Sequence, residues 1–194
     1  MFFIILFLAH IQAAAVPIVL GIKSFNKFKH IKKKKIIHFG FIFLGRASIF
    51  EMIDHIQTSW IYVDHSSLFN WLFYSFLSLG LTCLSISVVK NKFVRITNIC
   101  ISFCSIISYF LFDKTIALFF QVVISIFLII NWQRIFKDRL FILYPIFCIV
   151  FTTFFGTNLS ISGDQFWHIL IGPSGTVSVL VFYLILERSN NKFT

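Results

Sequence analysis

The chain has 194 residues, of which 58% are hydrophobic and only 12% charged, and it carries a net charge of +10. A soluble domain needs about a quarter of its residues charged to cover its surface; half that proportion, with 28 Phe, excludes an ordinary water-exposed fold and means that most of the outside faces lipid. The positive charge does not imply nucleic acid as a partner, because the lysines cluster in short connections between apolar stretches and not on one face of a soluble unit.

Apolar stretches of about 20 residues, each enough to cross a hydrocarbon core about 30 Å thick, recur along the whole chain. The first covers residues 2–22, FFIILFLAHIQAAAVPIVLGI. Ala13, Ala14 and Ala15 resemble a signal-peptide cleavage site, but no basic segment precedes the apolar run, and cleavage would leave the lysines of 23–35 outside. The segment is therefore read as a retained helix. The remaining spans are expected at 36–57, 67–89, 96–113, 115–133, 140–156 and 166–187. Short connections and the lack of period-2 alternation argue against a β-barrel. The pattern predicts an all-α, polytopic membrane protein with seven transmembrane helices in one domain, 1–194. Its expected location is a bacterial inner membrane or a eukaryotic endomembrane.

Charge asymmetry sets an expected orientation. The segment 23–35 carries seven lysines, 90–95 carries Lys90, Lys92 and Arg95, 134–139 carries Arg134, Lys137 and Arg139, and the tail carries Arg188 and Lys192. These fifteen of the seventeen basic residues fall on one side only if the number of spans is odd. The positive-inside rule then predicts the N-terminus outside and the C-terminus in the cytoplasm. Cys83, Cys100, Cys104 and Cys148 all lie in apolar spans without the CxxC spacing of zinc or redox motifs, and read as small core or lipid-facing residues.

The chain has only seven acidic residues. Asp138 and Glu187 lie at cytoplasmic ends, whereas Glu51, Asp54, Asp64, Asp113 and Asp164 fall at the outer ends of spans or in outer loops, as do His55, His65 and His168. In the second span Ser48, Glu51 and His55 stand at i, i+3 and i+7 and share a helical face, with Asp54 one step aside. Deeper lies Arg46, expected to pair with an acid inside the bundle, because an intramembrane charge is costly. In GDQFWHILIGPSG, Asp164 and His168 are four apart and share a face. Imidazole and carboxylate are suitable ligands for zinc, so two helices, each offering an acid and a histidine, can supply three or four ligands. Against this stands the ordinary behaviour of polar residues near helix ends, which often touch only headgroups or water. On that ground His10 reads as a hydrogen-bonded bundle histidine, Asp54 and His65 as solvated rim residues, and His30 and His38 as loop companions. Trp60, Tyr62, Trp71 and Trp167 fit an interfacial aromatic belt.

The segment QFWHILIGPSG, 165–175, resembles the start of the last helix in alkaline ceramidases, which carries two zinc-binding histidines. FFQVVISIFLII, 119–130, is similar to that family's fifth helix, and YVDHSSLFNW, 62–71, to the region holding its Asp. The layout resembles the wider CREST group of seven-helix membrane hydrolases. Carried over on this resemblance, His168 matches the second histidine of the last helix, and Asp164 stands where the first is expected. Either Ser48 and Glu51 or Glu51 and His55 fill the second-helix pair, and Asp64 matches the Asp. The family's acidic calcium-binding segment before the first helix is not seen, since the sequence begins Met1-Phe2-Phe3.

The expectation that follows is a zinc-dependent membrane hydrolase of a lipid amide or ester. Glu51, His55, Asp164 and His168 would hold Zn2+, Asp64 would take the proton from a metal-bound water, and Ser48 would stabilise the oxyanion. The alternative is a non-enzymatic seven-helix protein, a lipid-sensing receptor or partner subunit. A proton-coupled transporter ranks last, since no internal repeat is visible and only Pro17, Pro145 and Pro173 interrupt spans.

Overall fold

The computed structural model describes residues 2–28, 33–57, 67–112, 114–163 and 166–190. Among these there is no strand, and seven helical spans are long and apolar enough to cross a membrane. The chain is an integral, multi-pass membrane protein, as the sequence pattern predicts. The helices are α1 (Phe2–Lys27), α2 (Lys34–Gln57), α3 (Leu68–Val88), α4 (Lys92–Leu111) and α5 (Lys114–Phe136), then a composite sixth span and α7 (Phe166–Asn190).

Helix ends follow local capping more than hydropathy, which is why the observed bounds differ from the expected ones by a few residues. α4 begins at Lys92 because the Asn91 side chain accepts hydrogen bonds from the Phe93 and Val94 N–H groups at 2.8 and 3.4 Å, satisfying donors that a helix start leaves unpaired. Ser67 caps α3 in the same way, accepting from the Asn70 N–H at 3.0 Å. At the other end of α3, Lys33 donates to the carbonyls of Val89 and, at 3.2 Å, Ile86. Burial, and then the charge of Arg95, hold the Lys33 pKa below the ordinary lysine value.

The sixth span, Arg139–Leu159, is irregular. A 3-10 turn (Arg139–Ile142) and a single α turn (Leu143–Pro145) lead into a π-helical stretch (Ile146–Phe151), and regular geometry resumes in α6 (Thr152–Ser162). Pro145 has no N–H to give, and Thr152 Oγ1 donates to the Phe147 carbonyl at 3.0 Å inside the widened turn.

α1 packs on α2 and α7, α2 on α3, α3 on α4 and α5, and α6 on α7. The apolar core lies towards the end of the bundle that carries most basic residues. There the Phe182 ring meets Trp132 and Tyr144 at centroid distances of 4.7 and 4.6 Å, and Trp132 Nε1 donates to the Leu84 carbonyl at 2.8 Å. Between α3, α4 and α5 runs a polar seam. Ser78 and Ser105 are 2.8 Å apart, Gln121 donates to Ser78 at 3.1 Å, and Ser85 donates to Asn98 at 2.8 Å. Such bonds between membrane helices contribute about 0.6 kcal/mol each.

Candidate metal centre

Four side chains from three helices converge at the end of the bundle opposite the aromatic core. His10 comes from α1, Glu51 and His55 from one turn of α2, and His168 from the first turn of α7. One ligand atom from each lies within 4.8 Å of the other three. The three histidines are buried and Glu51 is half-buried. The His55 and His168 rings are 4.3 Å apart by centroid, and His10 is 5.2 and 5.1 Å from them, each pair edge-on. Glu51 lies against two of these rings, Oε1 at 3.8 Å from His168 Nε2 and Oε2 at 3.9 Å from His10 Nε2. These separations exceed a direct hydrogen bond and leave room for an intervening ion.

Local packing explains why the four groups meet. α1 must approach both partners closely for His10 to reach the cluster. A Cβ on Gly45 of α2 would lie 2.7 Å from the Ala14 carbonyl oxygen, and one on Gly172 of α7 would lie 3.2 Å from that of Ala9. Gly172 is one turn from His168, and Ala9 adjoins His10, so a close α1–α7 approach sits beside the cluster. His10 is further fixed by its Nδ1–H, which donates to the Leu6 carbonyl at 2.8 Å. That bond leaves Nε2 as the nitrogen with a lone pair, the arrangement usual for a metal-binding histidine.

The donor chemistry fits a divalent ion. Zinc is held at about 2.0–2.1 Å by nitrogen and oxygen ligands, so tetrahedral donors stand roughly 3.4 Å apart. The Glu51–histidine separations are a few tenths of an ångström wider, within the reach of small rotations. Three imidazoles and one carboxylate place up to four nitrogen and oxygen donors in a low-dielectric setting, where charge is costly to leave unpaired.

A family model described as "Seven transmembrane receptor" matches residues 2–192. The chain belongs to this family, 7TM_cyano. No curated protein and no solved structure matches the chain.

Two expectations are overturned by the match. The chain is not identified as a member of the alkaline ceramidase or CREST group, and the reading as a zinc-dependent hydrolase of a lipid amide or ester falls with it, because a family described as a seven transmembrane receptor covers residues 2–192. The misleading signal was QFWHILIGPSG, an interfacial Trp beside a His at a helix start. Any bundle with a polar group at the membrane boundary can present that combination.

Of the residues singled out in the sequence, the structure brings Glu51, His55 and His168 together. Asp164 and Asp64, like His65, lie outside the described residues. Ser48 is half-buried on α2, one turn before Glu51. His10 is the member that sequence reasoning set aside as a bundle histidine; its depth in the first span, matching that of the acidic and histidine residues elsewhere, was the available signal. Asp54 is not a solvated rim residue. It is buried and accepts a hydrogen bond from the Ser67 hydroxyl, linking α2 to the start of α3. His38, expected as a solvated loop companion, is half-buried, with Nδ1 2.9 Å from the Gly21 carbonyl oxygen. Arg46 forms no ion pair with a described residue: it is exposed, two turns after exposed Phe39 on the same stripe of α2. Its long stem lets the guanidinium reach towards the interface.

Proposed function

We propose that this chain is a non-enzymatic membrane receptor whose responsive element is a Zn2+ site formed by His10, Glu51, His55 and His168. The single observation that carries this reading is the convergence of four ligand atoms, from three helices, within 4.8 Å. A bound ion would tie α1, α2 and α7 at one end of the bundle. Gain or loss of the ion, or of a further ligand on it, would therefore change how α1 and α7 sit against each other. The same reading places the cluster near the extracytoplasmic face, with the N-terminus outside, on the basic-residue asymmetry.

The test is elemental analysis of the full chain in lipid nanodiscs, with Co2+ substitution as a second readout. The expected result is about one zinc per chain, visible bands of tetrahedral Co2+, and loss of both in His10→Ala and His168→Ala. Affinity should fall as the pH drops, since ligands must be deprotonated to bind. Absence of metal from the wild-type chain, or full occupancy in both variants, would remove the proposal.

A further inference from the structure

We infer that the cleft between α1 and α7 at the basic end of the bundle is a binding site for a phosphate group, supplied by an anionic phospholipid headgroup. The cleft has a volume of about 700 Å³ and is lined by Ile22, Lys23, Asn26, Lys27, Tyr183 and Glu187. It lies at the far end of the helix pair from the histidine cluster, and the inference does not depend on that cluster binding metal.

Depth is the first argument. About 20 helical residues cross the hydrocarbon core, and α1 counted from Phe3 reaches that length at Ile22. Ile22 therefore meets the acyl chains, and the residues from Lys23 onward stand at the level of the headgroups. On α7, Tyr183 and Glu187 occupy the matching final turns, with Tyr183 in the position usual for an interfacial aromatic.

Charge is the second. Lys27 is already committed, forming an ion pair with Glu187. That pair neutralises the one carboxylate of the lining and fixes one wall. Lys23 is exposed and forms no ion pair or hydrogen bond with any described residue. The cleft thus holds two ammonium groups against one carboxylate, a surplus of one positive charge. Around it stand two neutral groups able to donate, the Asn26 amide and the Tyr183 hydroxyl. A phosphodiester carries one negative charge and several acceptor oxygens, which matches this inventory. Its acyl chains would continue along Ile22. Basic pockets between transmembrane helices bind anionic headgroups for this reason.

The experiment uses the full chain in nanodiscs of phosphatidylcholine with a minor fraction of phosphatidylglycerol, and native mass spectrometry counts the retained lipids. Lys23→Gln removes the unpaired cation without touching the Lys27–Glu187 pair, and Tyr183→Phe removes only the hydroxyl. Unchanged thermal melting shows that the variants are folded. Preferential retention of phosphatidylglycerol, weakened about fivefold in Lys23→Gln, is the expected result. Inorganic phosphate that stabilises detergent-solubilised protein as well as the lipid does would keep the phosphate site but assign it to a free anion. Equal retention of the two lipids, retention unchanged in both variants, or binding of an acidic peptide in place of either phosphate source would overturn it.

Discussion

At the basic end of the bundle, Trp132, Phe141, Tyr144 and Phe182 interlock with Leu84 and Leu128, and each of these six side chains is buried. At the other end, three imidazoles and a carboxylate meet with only ring edges and long polar contacts between them. The first region needs nothing beyond the chain, because apolar surfaces fill each other's space and the indole N–H has its carbonyl partner. The second gathers polar groups at a depth where each loses solvation, and its four ligand atoms could hold an ion. The difference teaches where the chain can respond under the proposed reading: the apolar end resists change, while the polar end offers donor atoms that an added ion could engage.

The largest expected effect would come from breaking the first region alone. Trp132→Ala removes a fully buried indole and its hydrogen bond, and should cost about 3–5 kcal/mol, read as a lower thermal midpoint in nanodiscs. The fraction that stays folded should retain its full zinc content. His168→Ala should do the reverse, stripping the metal while leaving the midpoint near that of the zinc-free wild type. If Trp132→Ala removes zinc and spares stability, the two ends are not independent.

A smaller effect is expected where helix packing positions the cluster. A Cβ at Gly172 would press on the Ala9 backbone at 3.2 Å, whereas one at Gly156 meets nothing within 4 Å. Gly172→Ala must move α1 and α7 apart by a few tenths of an ångström beside His10 and His168, and should weaken zinc binding. Gly156→Ala, in α6, should change neither. Isothermal titration of zinc on both variants separates the outcomes, and equal affinity in the two would show that the close α1–α7 contact does not position the ligands.

The seven spans were legible in the sequence because hydropathy over about 20 residues is a bulk property of each segment. Glu51 and His55 were legible because their spacing fixes a shared helical face whatever the neighbours do. His10 was not, since a lone histidine on an apolar helix gives no rotational reference, and its partners are brought to it by the Gly45 and Gly172 contacts between distant segments. Arg46 and Asp54 failed in opposite directions for that same reason. Depth along α2 could be estimated for both, but whether each side chain turned to lipid or to α3 depended on the packing of other helices. The family assignment was misread where a dozen residues at one helix start were allowed to speak for the whole chain.

The smallest expected effect concerns Asp54, which sharpens the boundary of the polar end. It adjoins His55 in sequence, yet its carboxylate accepts from Ser67, and Ser67 in turn caps α3. It is not among the four residues whose ligand atoms converge. Its role is then to hold α2 against the start of α3, and an amide can do part of that work, since the Asn oxygen still accepts from the hydroxyl. Asp54→Asn should therefore cost about 0.5–1.5 kcal/mol and leave zinc stoichiometry and affinity unchanged. Zinc loss in this variant comparable to that of His168→Ala would place Asp54 in the ligand set, and the acidic charge available to the ion would then be twice what the present geometry assigns.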